Sequence, residues 1–151
     1  MKKLLLALSA TLGLAAALPA HAQFAKPEAA VKYRKAAMTL MGAHMSRLGA
    51  MAQGKVPFDA KQAADNAEVL AAVSKLPWAG FVAGTEKVGN SHAKPEVWKE
   101  AAKFKEATEQ YLGEVGKLEA ATKTGNADQI KAAIGAVGKS CKSCHDSFEN
   151  D

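Results

Sequence analysis

Apolar residues in this chain recur at alternating steps of three and four, and that spacing restricts the fold to packed helices. Val31, Arg34, Met38, Met41, Met45, Leu48 and Ala52 form one stripe of a first helix. Pro27 and Glu28 open it, a proline suited to the first turn and an acid suited to the positive end of the helix dipole. Gly54 and Pro57 stop it, and Asp59 is placed to cap a second helix carrying Val69, Leu70, Val73 and Leu76, which Pro77 ends. The segment "PWAGFVAGTEKVGNSHAK", residues 77–94, reads as a long irregular loop whose aromatics cover something. Pro95 and Glu96 open a third helix in which Val97, Ala101, Phe104, Thr108, Tyr111, Val115, Leu118 and Thr122 keep the same spacing. The turn "TGN" at 124–126 follows, and Asn126 caps a fourth helix with the stripe Ile130, Ile134, Val137, Cys141, Cys144 and Phe148.

Four amphipathic helices joined mostly by short loops predict an all-α fold, an antiparallel up-down four-helix bundle with helices about 20° from antiparallel. No run of alternating β-branched residues would supply a sheet. A chain of 151 residues suffices for one domain with a core and is short for two.

The first 22 residues do not belong to that bundle. "MKKLLLALSATLGLAAALPAHA" has two lysines, an apolar run from Leu4 to Leu18 and the small-x-small pattern Ala20-His21-Ala22, the three parts of a secretory signal. The run is interrupted by Ser9, Thr11 and Gly13 and is shorter than the roughly 20 residues of a spanning helix. The expectation is cleavage after Ala22, leaving residues 23–151 as the mature domain, with no membrane span and a location in the periplasm. Of the 20 basic residues Lys2 and Lys3 lie in the signal, and the others are interspersed with 15 acidic ones. That mixture excludes a nucleic-acid surface and leaves a mild positive charge that could help meet an acidic redox partner.

The stretch "CKSCH" near the C-terminal end carries the chemistry. Cys141 and Cys144 are the only two cysteines, and with His145 they leave one face of the last helix, because steps of three and four span one turn. A compartment that oxidises thiols would normally turn a free pair into a disulfide, but a redox dithiol also needs its first cysteine at a helix N-terminus after a strand. A structural zinc site needs a fourth ligand, and neither His44 nor His92 belongs to a second spaced pair. C-x-x-C-H on a helix in an exported chain is instead the attachment signature of a c-type haem, with the thiols forming thioethers and the histidine an axial ligand.

With those residues in view, the chain resembles the cytochromes c′ along its whole mature length. "QFAKPEAAVKYRKAAMTLMGAHM" is similar to that family's first helix, "LPWAGFVAGTE" to its haem-covering loop and "VGKSCKSCHDSF" to its haem-binding helix. The resemblance implies a periplasmic bundle, usually a homodimer, with one haem c per chain and an iron that has histidine on one side and no protein ligand on the other. It implies that Cys141 and Cys144 carry the thioethers and that His145 is the metal ligand. By the same resemblance Arg34 pairs with a haem propionate, Met38 sits over the open distal face, and Trp78 and Phe81 pack on the porphyrin. Some members carry a basic residue four positions past the histidine, where this chain has Glu149.

An iron with one open position binds diatomic gases, and an apolar distal side made by Met38, backed by Met41 and Ala37, disfavours dioxygen against nitric oxide and carbon monoxide. The expected function is gas binding, with single-electron transfer as a second capacity, and not catalysis, since no distal acid–base residue can be placed. The alternative is a low-spin electron carrier of the same bundle family with Met38 on the iron. His44 lies off the Met38 stripe and is expected at the surface or a subunit contact, His92 in solvent. The small residues Ala36, Ala37, Gly42 and Ala43 permit a close helix crossing between subunits.

Overall fold

The computed structural model describes residues 23–150; the expected signal peptide at residues 1–22 lies outside them. Four long helices, α1 (Pro27–Ala52), α2 (Ala60–Val73), α4 (Ala101–Thr122) and α5 (Ala127–Phe148), are joined by a 3-10 turn (Pro77–Gly80), an irregular loop and a one-turn helix α3 (Glu96–Lys99). In the ring α1–α2–α4–α5, each long helix packs against its two neighbours, and up-down connectivity makes every neighbouring pair antiparallel. The seam spacing is what buries Leu48, Leu70, Leu118, Ile130 and Val137 completely. Each such aliphatic side chain contributes about 1.5–3 kcal/mol of burial.

The local start signals act as their chemistry requires. The Asp59 side chain accepts from the Gln62 N–H at 3.0 Å, and Asn126 accepts from the amides of Asp128 and Gln129, both at 3.0 Å. A cap of the Asn126 kind is worth about 1 kcal/mol. Gly125 precedes it at φ 67°, a conformation that glycine reaches without a Cβ penalty.

Two expectations need correction. The third helix is not continuous from Pro95, because the chain leaves helical geometry at Glu100 (φ −114°, ψ 44°) before α4 begins. The break lets α3 pack against α5 with Val97 buried, whereas Ala101, expected on the seam, is exposed. On α2 the buried stripe is Ala63, Ala67, Leu70 and Ser74, while Val69 and Leu76 are each 40% exposed. The inward positions there are filled by small residues that let α2 approach closely, so the large apolar side chains mark the wrong line.

Among the described residues, no helix is long and apolar enough to cross a membrane.

Candidate functional site

A cavity of about 370 Å³ lies between α1, the loop after the 3-10 turn, α3, the start of α4 and the end of α5. Met38, Trp78, Phe81, Cys144 and His145, each singled out in the sequence, all line it. Phe104 and Phe148 line it too, although their spacing marks them only as bundle seam. The three phenylalanines form a continuous wall: Phe81 and Phe104 rings are 5.0 Å apart, and Phe104 meets Phe148 edge-on at 5.2 Å. Trp78 stacks beside Phe81 at 6.3 Å and anchors its indole by donating to the Ser74 carbonyl at 2.7 Å. The result is a deep apolar cleft with aromatic sides.

Arg34 also lines the cavity, yet the residue is only 3% exposed. One terminal nitrogen donates to the Gly80 carbonyl (2.8 Å) and the Thr85 hydroxyl (2.9 Å). The other donates to the Thr85 carbonyl (3.3 Å) and the Ser91 hydroxyl (2.7 Å). The group lies 4.5 Å over the Phe81 ring, and burial lowers its pKa while Glu86 partly offsets that. A charge so desolvated is tolerable only because each terminal donor has an acceptor. Gly80 lets the loop come this close: a Cβ there would stand 2.7 Å from the Ala30 carbonyl oxygen and 2.8 Å from Arg34 Cβ.

The far end of the loop is tied to the end of α5. Lys94 N–H donates to the Phe148 carbonyl at 2.8 Å and Asn150 N–H to the His92 carbonyl at 2.7 Å, so Ala93 and Glu149 pair as an antiparallel bridge. His92 is exposed, as expected, but also lines the cavity mouth.

On α5, Cys141 and Cys144 are half-buried free thiols. Burial pushes the Cys141 thiol up, and burial with the nearby Cys141 and Glu149 charges pushes Cys144 up to about 11. A dithiol oxidoreductase requires the opposite shift. Among the described residues, no three or more His, Cys, Asp and Glu side chains cluster to hold a bare metal ion. His145 is largely exposed, and its Nδ1 lies 2.8 Å from Glu149 Oε2. His44 is elsewhere: half-buried, its Nδ1 is 2.9 Å from Asn66 Oδ1 on α2. Met41 and Ala37, expected behind Met38, belong to the core rather than to the cavity wall.

Residues 29–149 match the family model described as cytochrome c′. The cytochrome c′ of Rubrivivax gelatinosus is 51% identical over 127 residues, covering 84% of this chain and 98% of that protein. Its crystal structure superposes with a TM-score of 0.82, covering 85% of this chain and 100% of its own. A nitric oxide complex of an Alcaligenes xylosoxidans cytochrome c′ variant, 45% identical, gives a TM-score of 0.79 over 85% of this chain and 99% of its own. A carbon monoxide-bound variant of that protein gives the same score at the same identity, over 85% of this chain and 100% of its own.

Proposed function

The chain belongs to the cytochrome c′ family, and from that premise we propose an exported haem protein that binds nitric oxide and carbon monoxide at an iron carrying one protein ligand, His145. The family's cofactor is haem c, held covalently through two cysteines, and this chain has two, Cys141 and Cys144. The residues present fit the group. Cys144 and His145 open from α5 into an apolar cleft walled by Trp78, Phe81, Phe104 and Phe148, which suits a flat aromatic ligand. When bound, haem supplies an iron that takes a diatomic ligand or exchanges one electron.

The observation that carries the reading is Met38 lining the same cleft as His145 from a different helix. Its thioether makes the α1 wall apolar, while the polar groups beside it are committed elsewhere. Thr39 Oγ1 donates to the Lys35 carbonyl (2.8 Å), and Lys35 Nζ donates to Asn90 Oδ1 (2.8 Å). With these groups turned to their own backbone and loop partners, the Met38 wall favours nitric oxide and carbon monoxide over dioxygen, which gains from a distal donor. Complexes of relatives with nitric oxide and carbon monoxide support the choice of gases. Arg34 supplies the positive charge for a propionate, and the half-buried Ser91 hydroxyl is the partner it can release, since Ser91 can turn to water. Exposed Ala36, Leu40, Gly42 and Ala43 on α1 suit a helix-crossing homodimer contact, whereas Ala37 is spent inside its own subunit. Electron exchange with a protein partner is a second capacity of the same site.

A second reading rests on the same methionine: its sulfur, already in the cleft, could occupy the iron and give a low-spin electron carrier.

The test is expression of the full precursor with haem-attachment machinery. The reading expects a periplasmic protein beginning at Gln23, whose mass includes one haem that acid–acetone does not extract and whose reduced spectrum changes on adding nitric oxide. An extractable haem, or an unprocessed membrane-bound chain, contradicts it.

A further inference from the structure

The Glu149 carboxylate stands 2.8 Å from His145 Nδ1. The fold fixes it there. Helix α5 ends at Phe148, and Glu149 turns extended (φ −123°, ψ 136°), its own N–H still donating to the His145 carbonyl at 2.9 Å. The bridge to Ala93 then holds its backbone from both flanks through the Lys94 and Asn150 amides. Two cations that could compete for the carboxylate are engaged. Lys142 pairs with Asp146 at 2.7 Å, and Lys94 Nζ donates to the Asp146 carbonyl at 2.9 Å. A loop that covers the cleft therefore also places an acid on the histidine behind it.

We propose that Glu149 is a positioning residue for the axial histidine: its carboxylate accepts the Nδ1 proton of His145, fixes the tautomer whose lone pair is on Nε2, and makes the imidazole a stronger donor to iron. A ligating histidine whose second nitrogen donates to a carboxylate is held in orientation and becomes more basic. With haem bound, that added basicity would favour the oxidised metal and strengthen the hold of His145 on the iron. The inference rests on reading His145 as the axial ligand.

Resonance Raman spectra of the reduced haem protein, with reduction potentials, test both layers separately in the unaltered chain, Glu149→Gln, Glu149→Asp and Asp146→Asn. The expected result is an iron–histidine stretching band that falls in frequency in Glu149→Gln, with a more positive potential, and is partly restored in Glu149→Asp. Asp146→Asn removes the same charge from the same end of α5 and, even with Lys142 released from its pair, should move the band far less than Glu149→Gln does. Absorption spectra and circular dichroism verify that each variant is folded with haem attached. A band unmoved by Glu149→Gln, or moved as far by Asp146→Asn, overturns the proposal. If the unaltered protein shows no iron–histidine band, the reading of an iron held by His145 alone fails, and this inference with it.

Discussion

Replacing Arg34 by methionine should loosen the loop that closes the cleft and destabilise the whole protein by about 3 kcal/mol. Methionine approximates the stem of the side chain and fills much of its space, so the loss is in the head group. Four hydrogen bonds disappear, but they are not equal. The Thr85 hydroxyl still donates to the Val82 carbonyl at 2.6 Å, and the Ser91 hydroxyl still accepts from the Ala93 amide at 3.2 Å. The Gly80 and Thr85 carbonyls are left without their side-chain donor, at about 1–3 kcal/mol for each buried group so orphaned. The guanidinium–Phe81 contact removes about 1 kcal/mol more. Against this stands relief from burying a cation, visible in the lowered pKa of Arg34, which brings the net to about 3 kcal/mol. With a urea m-value of about 1–3 kcal/mol/M, the unfolding midpoint should fall by about 1–3 M. Cleavage by a protease within residues 82–91 should accelerate together with it. A lysine at the same position keeps the charge but lacks the planar fork, and should recover less than half of the loss. If the midpoint of the methionine variant moves by less than about 0.3 M, the clasp is not holding the loop and the reasoning from orphaned carbonyls is wrong.

The other predictions concern the cleft and its walls. Met38→Ala should open the distal side, and if about 1–3 kcal/mol of crowding is relieved, flash photolysis should record carbon monoxide rebinding about 5–150-fold faster; an unchanged rate would show that Met38 does not limit access. Gly80→Ala should cost about 1–3 kcal/mol as an overpacked contact, because its Cβ meets the Ala30 carbonyl and Arg34 Cβ below 3.0 Å; urea unfolding reads this directly. Cys144→Ser should leave at most one thioether, so the alkaline pyridine spectrum should shift to longer wavelength as one vinyl group stays conjugated. Asn126→Ala should lose about 1 kcal/mol of helix capping, seen in unfolding with the haem spectrum of the folded state unchanged.

What was legible in the sequence was what short-range chemistry encodes. The seams of α1 and α5, the caps at Asp59 and Asn126, and the grouping of Cys141, Cys144 and His145 follow from spacings of three and four residues. The Arg34 environment was not, because its partners Thr85 and Ser91 stand more than fifty residues away in a loop with no periodicity. The line of α2 was misread since Ala63 and Ala67 give no hydropathy signal that separates a tight helix contact from a surface. Phe104 and Phe148 looked like ordinary seam residues, and only the break at Glu100, with the path of the loop, turns that part of the seam into a wall. Glu149 was noticed as a substitution of charge, while its contact with His145 depends on the bridge to Ala93 that ends α5.

The central claim is that His145 holds the iron alone and that Met38 leaves the opposite side open. The reduced absorption spectrum, recorded before and after carbon monoxide, tests it most directly. The account predicts a high-spin spectrum that shifts when the gas is added. A low-spin spectrum that carbon monoxide leaves unmoved would contradict it, and would put a side chain, Met38 first, on the iron.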